Sequence, residues 1–411
     1  MTVDSVCWSC GSRDLVGFYE MSGVPAHSVL QMPTCERAVT YPKGDIALGI
    51  CRACGFVENT AFQPELTEYS ENYEETQGYS ETFNAFHANL AAVLVERYNL
   101  RGKDIVEIGS GKGDFLKLLC RVGGNRGIGF DPAYVPERGG VEPGEQIEFI
   151  DDFYSAKVSV GKVDFICCKM TLEHIQRTAE FVRMIRDSLN GQPETTVFFQ
   201  VPDVRRVLFE LAFWDVYYEH CSYFSAGSLT RLFRRCGFDV IEVKTDYDGQ
   251  YLMITARPSV TLHAGMLAEE DDLAEIRELA SRFERLTGDK LRDWKVRLQE
   301  YLVAGSRIVL WGGGSKGVAF LTTLGITSGI EYVVDINPYR QGMFMAGTGQ
   351  EIVSPGFLRG YQPDVVIVMN PIYRAEIRSD LELMGLSPEL ILVTEGMPAS
   401  DANCSSLRSS A

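Results

Sequence analysis

The chain reads as an α/β protein with a doubly wound parallel sheet at its centre, a second α/β unit behind it and a small metal-stapled unit in front. Three observations predict this. From about residue 104, short apolar runs alternate with segments of helical spacing, the pattern of strands covered on both faces by helices. Two of those runs open into glycine-rich turns, Gly109-Ser-Gly-Lys-Gly113 and Gly312-Gly-Gly-Ser-Lys-Gly317. Ahead of them Cys-x-x-Cys occurs twice, at Cys7/Cys10 and Cys51/Cys54.

At 411 residues the chain is too long for one ordinary core, so two or three domains are expected. The formal net charge of −17 argues against a nucleic-acid surface, which needs clustered Lys and Arg. The start, Met-Thr-Val-Asp-Ser-Val-Cys-Trp, lacks a basic region followed by an apolar run, so no signal peptide is expected. No segment has the length and apolarity of a bilayer span. Eleven cysteines without a secretion signal point to a reducing compartment, with the cytoplasm as the expected location.

Element by element, residues 1–66 form a turn-rich unit too small to be stable without a staple. A core domain is expected over 67–260. It opens with a tyrosine-rich stretch and an amphipathic helix, Glu81 to Tyr98, with Phe83, Phe86, Leu90, Val93 and Leu94 at helical spacing. Asp104–Ile108, Gly127–Phe130, Ile147–Ile150, Val163–Cys168 and Thr196–Gln200 fit buried strands, and Asp248 to Arg257 a further extended run. Residues 261–304 read as a charged helical connector. A unit over 305–398 follows, with strand-like runs Arg307–Trp311, Tyr332–Asp335 and Val365–Met369. The Ser-rich tail 399–411 is expected to be disordered.

Four thiolates in two close pairs can surround one zinc ion tetrahedrally, and Gly11 and Gly55 suit the turn behind each second sulfur. Cys7, Cys10, Cys51 and Cys54 leave no position for water, so the zinc would be structural. Cys35 and His27 are spare candidates outside the pairs.

Glu107-Ile-Gly109-Ser-Gly111-Lys-Gly113 sits between a strand and a helix. Acid-x-Gly-x-Gly-x-Gly at that junction resembles the nucleoside loop of class I S-adenosylmethionine-dependent methyltransferases. Asp131, ending the next strand, is placed for ribose hydroxyls, and Asp151 or Asp152, after the third, for the adenine amino group. In the second unit Gly312, Gly314 and Gly317 satisfy Gly-x-Gly-x-x-Gly, with Asp335 at the distance of a ribose-binding acid; read alone, that predicts NAD. A third constellation runs from Phe213 to Phe224. Its aromatics fit a buried core segment, but Glu219 and His220 beside Tyr217 and Tyr218 also fit proton removal from an acidified carbon.

Zinc knuckles, this core, Tyr-x-Glu-His-x-Ser-Tyr-Phe-Ser and a Rossmann-like C-terminal unit, in that order, resemble the sugar C-methyltransferases of antibiotic deoxysugar pathways over nearly the whole chain. The resemblance implies a nucleotide-linked 4-keto sugar that loses a proton beside its carbonyl, the enolate then taking the methyl group. It implies His220 as the base, Glu219 orienting or polarising it, and Tyr217 with His174 around the sugar. It also implies that the C-terminal unit encloses the nucleotide-sugar without a redox cofactor. The family's Tyr-rich Ser-Ser element is met only by Tyr69, Tyr73 and Tyr79 at other spacing. Its His-Gly-Gly-Ser-Leu-Arg strand is replaced by Tyr247–Met253, and Lys112 stands inside the loop. Two rival readings stand beside it: an O- or N-methyltransferase on another small or carrier-bound substrate, and a non-catalytic nucleotide-sugar or NAD-binding protein.

Overall fold

The computed structural model describes residues 5–67, 69–70, 72–138, 140–155, 161–260 and 265–395. The Ser-rich tail lies outside the described residues.

Strands Leu15–Pro25, Lys43–Cys51 and Val57–Asn59 form an antiparallel sheet, to which Ser222–Tyr223 from the aromatic segment adds a fourth strand. The N-terminal unit and that segment are therefore stitched together by main-chain hydrogen bonds.

The central sheet has seven strands. Across it run Phe238–Asp246, Tyr251–Pro258, Thr196–Pro202, Phe165–Lys169, Asp104–Ile108, Arg126–Phe130 and Ile147–Ile150. Tyr251–Pro258 runs antiparallel to both neighbours, and the strands from Thr196–Pro202 to Ile147–Ile150 are mutually parallel. The strand order reverses between Asp104–Ile108 and Phe165–Lys169. The connections leaving those two strands part to opposite faces and open a crevice at their carboxyl ends.

The third sheet is wholly parallel, in the order Glu351–Val353, Ile330–Val334, Ile308–Trp311, Val365–Val368 and Glu389–Leu392. Its order reverses between Ile308–Trp311 and Val365–Val368. Residues leaving both switch points, Gly109 and Thr171 in one sheet and Gly312 and Asn370 in the other, line a single cavity of about 760 Å³.

The predicted helix is present as Glu81–Arg97, its first turn capped by Ser80 Oγ accepting from Phe83 N at 3.2 Å. Its buried stripe is Phe83, Leu90, Ala91, Leu94 and Val95; Val93, expected inside, is 39% exposed because it falls off that stripe. The charged connector is the helix Leu273–Val303, which presents Ile276, Phe283, Trp294 and Leu298 inward. One core runs from Phe18 through Phe213, Trp214 and Phe283 to Phe320, so the aromatic segment is packed between the N-terminal unit, the long helix and the third sheet. Among the described residues, no helix is long and apolar enough to cross a membrane.

Candidate active site

Strand Asp104–Ile108 runs into the glycine turn, and helix Asp114–Gly123 follows. Gly109 and Gly111 have φ of +71° and +53°. A Cβ at Gly109 would lie 1.9 Å from Thr171 Oγ1, and one at Gly111 2.6 Å from Glu75 Oε1. Only glycine fits the turn and leaves backbone open to a ligand. Asp131 ends the adjacent strand and accepts from Gly111 N and Ala133 N, both at 2.7 Å, which braces the turn. Burial raises its pKa, with those two amides opposing. Glu107 is buried, its carboxyl pushed up to about 8 by burial, and its Oε2 has no hydrogen-bond partner. Glu107, Gly109, Gly111 and Asp131 all line the cavity, a cradle that fits a nucleoside ligand. Gly113 heads the helix as its N-cap. Asp152 stands apart: it is exposed, its Oδ1 accepts from Phe153 N, and its neighbours Phe153 and Tyr154 reach the cavity instead. The strand before it is the outermost of the sheet, so its end lies away from the switch point.

Beyond the cradle, two histidines meet. His174 sits in the turn after Phe165–Lys169, and His220 in the aromatic segment; their rings are 4.8 Å apart and perpendicular. Cys221 N donates to Glu173 O at 3.0 Å and Ser222 Oγ to Ile175 O at 2.7 Å, which locks the two segments together. Each imidazole has its own phenol. Tyr69 Oη is 3.0 Å from His174 Nδ1, and Tyr217 Oη is 3.0 Å from His220 Nε2. Burial lowers the pKa of His174 to about 4 and that of His220 well below the usual imidazole range. Both rings are therefore neutral, and an unprotonated imidazole is the form that accepts a proton. Burial also raises both phenols well above their ordinary range, so they keep their protons.

The expectation that Glu219 orients His220 is corrected. Glu219 Oε1 meets His27 Nδ1 at 2.9 Å, and Oε2 accepts from Ser28 N at 2.9 Å and from the Ser28 hydroxyl. Ser28 Oγ also lies 2.8 Å from Ser315 Oγ, at the start of helix Ser315–Leu324. Tyr217 to His220 form a turn, closed by His220 N donating to Tyr217 O at 3.2 Å, and the Glu219 side chain leaves it toward the N-terminal unit. Glu219 bears on the histidine pair through the chain, since it directly precedes His220 in that turn.

On the far side of the cavity, Asp215 is held by Arg206 at 2.5 Å and by Lys316 of the second glycine turn. Although burial pushes it up, Lys316 and Arg206 keep the Asp215 carboxyl below the usual range. Asp335 is engaged within its own turn, accepting from Gly313 N at 2.9 Å and Asn337 N at 2.8 Å. The guanidinium of Arg340 lies over Gly314. The tyrosine-rich stretch straps this side to the cradle. Buried Glu74 pairs with Arg138 and accepts from Asn337 Nδ2 at 2.8 Å, while its carbonyl accepts from Arg340.

The four predicted thiols converge. Cys7 Sγ is 3.7 Å from Cys54 Sγ, Cys10 Sγ is 3.6 Å from Cys51 Sγ, and all four lie within 4.8 Å of one another without a disulfide. Zinc–sulfur bonds of about 2.3 Å in a tetrahedron put sulfurs about 3.8 Å apart, so the donor set fits such an ion. Cys35 and His27 are not in the cluster. Sequence reasoning left the N-terminal tyrosine open; Tyr69 is the one bonded to His174, with Tyr73 packed against it and Tyr79 41% exposed. It also missed Ser315, Lys316 and Glu74, whose partners are distant in the chain, and Arg206, whose partners Glu210 and Asp215 are near in sequence but carry no motif.

The chain matches two family profiles in succession, a methyltransferase domain over residues 80–243 and a C-methyltransferase C-terminal domain over 255–387. It is 30% identical over 308 residues to the C-methyltransferase NovU of Streptomyces niveus, covering 70% of this chain and 71% of that one. Among solved structures, it is similar to the 1,6-didemethyltoxoflavin-N1-methyltransferase of Burkholderia thailandensis (18% identity, 42% of this chain and 78% of that one, TM-score 0.35). It is also similar to the PH0226 protein of Pyrococcus horikoshii (16% identity, 47% and 100% covered, TM-score 0.38). The two profiles together span most of the central and third sheets, and the match to NovU extends over more than two thirds of both chains: the protein belongs to the S-adenosylmethionine-dependent C-methyltransferase family.

Proposed function

We propose that the acceptor is a nucleotide-linked keto-deoxysugar, methylated at the carbon beside its ketone, in the biosynthesis of natural-product or polysaccharide sugars. The observation that carries this reading is the pair of neutral Tyr–His couples in a cavity bounded by both glycine turns. Methylating oxygen or nitrogen needs no carbon base, whereas methylating carbon next to a ketone does.

In this reading the turn Glu107–Gly113 and Asp131 hold S-adenosylmethionine, which supplies an electrophilic methyl group when bound. His220 removes the proton, and Tyr217, 3.0 Å from its Nε2, fixes the ring. His174 and Tyr69 face the carbonyl and hydroxyls of the sugar. Glu219 is a positioning residue, tying the turn that carries His220 to His27 and Ser28. Lys316, Arg340 and the start of helix Ser315–Leu324 suit a diphosphate, because main-chain N–H groups and cations attract anions. The four cysteines hold a structural zinc.

Incubating the enzyme with a thymidine diphosphate-linked 4-keto-6-deoxyhexose in deuterium oxide tests the reading. Deuterium enters beside the ketone, and the product carries a new carbon–carbon bond. Wild-type exchange and turnover in His220→Ala would reject the assigned base, and a new O- or N-methyl group would reject the carbon acceptor.

A further inference from the structure

One cavity residue has chemistry that the reading above leaves unused. Phe165–Lys169 ends at Met170, whose φ of +51° turns the chain sharply and delivers the short turn Leu172–His174 into the cavity. Glu173 in that turn is 1% exposed. Apart from its own main-chain N–H, neither carboxyl oxygen has a hydrogen-bond partner, and among the described residues no Arg or Lys forms an ion pair with it. Its oxygen lies within 4.8 Å of ring nitrogens of both His174 and His220. An unpartnered carboxyl group beside the proton-removing site is costly unless a ligand completes it.

The groups around it decide its charge. Tyr69, Tyr217 and Tyr251 are phenols raised by burial; Cys168 and Cys221 are thiols raised by burial; His174 and His220 are imidazoles lowered by it. All are neutral near pH 7, so none stabilises a carboxylate. Burial pushes the Glu173 carboxyl up to about 8, which leaves an O–H rather than a charge.

We propose that the Glu173 carboxyl group is the hydrogen-bond donor to the enolate oxygen of the reaction, an inference that rests on the keto-sugar reading. As the carbon–hydrogen bond breaks, the proton goes to His220 and the electron pair moves onto the carbonyl oxygen. Glu173 shares its proton with that oxygen and keeps it when the carbonyl reforms on methyl transfer. A neutral acid in a dry site can do this without a counter-ion; a carboxylate would repel the enolate.

The test compares wild type, Glu173→Gln and Glu173→Ala on the same thymidine diphosphate-linked 4-keto-6-deoxyhexose across pH. Glu173→Ala is expected to lower kcat and deuterium exchange about 100-fold while S-adenosylmethionine binding and melting temperature stay near wild type. Glu173→Gln retains a neutral N–H donor and stays within about tenfold of wild type. Wild-type kcat falls as pH rises through about 8, and that limb is absent in Glu173→Gln. Glu107 is also pushed to about 8, and a limb that survives in Glu173→Gln belongs to it and overturns the proposal. Undiminished exchange in Glu173→Ala overturns it too. Infrared spectroscopy reads the substrate-free enzyme: a protonated-carboxyl C=O band at neutral pH that is missing in Glu173→Gln supports the proposal, and no such difference sinks it. Wild type that shows the band but no exchange rejects the keto-sugar reading, and the enolate role with it.

Discussion

Glu219 meets His27 Nδ1 at 2.9 Å, across 192 residues of sequence, and both side chains are essentially without solvent exposure (1% and 0%). This contact ties the N-terminal unit to the segment that carries His220. Removing the imidazole leaves one oxygen of a buried carboxylate without its partner, a loss of about 1.5–3 kcal/mol. His27→Ala should therefore lower the urea midpoint. It should also cut kcat about tenfold or more, since the contact anchors the turn that carries His220. His27→Gln, which can still donate, recovers most of the rate. The pH dependence has a definite sign. Burial pushes the Glu219 carboxyl up, but hydrogen bonds from His27 and Ser28 outweigh it and hold it below the usual range. The stabilisation is then present above the unfolded value of about 4.3 and is lost as pH falls through the lower folded value. Acid unfolding of Glu219→Gln should lack this contribution.

The cofactor turn gives a sharper test. Gly109→Ala would place a methyl group against Thr171 and force a side chain into a φ of +71°. Calorimetry should show S-adenosylmethionine affinity reduced at least about tenfold, from lost backbone geometry rather than a lost contact. Unchanged affinity would remove the turn from the binding site.

Metal content tests the cysteine cluster. The wild-type chain should carry about one zinc per molecule, and Cys51→Ser should carry less and melt lower. Cys51 ends the strand Lys43–Cys51, whose neighbour Val57–Asn59 pairs with Ser222–Tyr223, so activity should fall with the metal. A metal-free wild type that is fully active would reject structural zinc.

The strap over the cavity can be released at one residue. Glu74→Ala deprives Arg138 and Asn337 of their shared carboxylate, and losing hydrogen bonds to a charged group costs roughly 1.5–3 kcal/mol. Proteolysis between residues 69 and 80 should accelerate, and KM for both substrates should rise. Resistance equal to wild type would mean that other contacts hold the strap.

What the sequence disclosed was local. Strands Asp104–Ile108 and Ile147–Ile150 fall where apolar runs end in glycine or acid, because period and punctuation act over a few residues. The cysteine pairs were legible for the same reason. Phe238–Asp246 went unseen because its outer face carries Glu242, Lys244 and Asp246, which dilute the apolar run of a partly exposed strand. Asp152 is exposed at the end of the edge strand, a position that spacing alone does not reveal. The partners of Glu219, Glu74 and Asp215 lie 192, 263 and 101 residues away, and such pairings have no signature in a single sequence.

Ser28 Oγ lies 2.8 Å from Ser315 Oγ, across 287 residues, beside the carboxylate of Glu219. A hybrid enzyme that took its C-terminal third from a homologue would bring a different group, or none, to that junction. Engineering a new acceptor preference by module exchange must therefore redesign both sides of the seam together, and single-sided grafts should yield well-folded but sluggish chimeras.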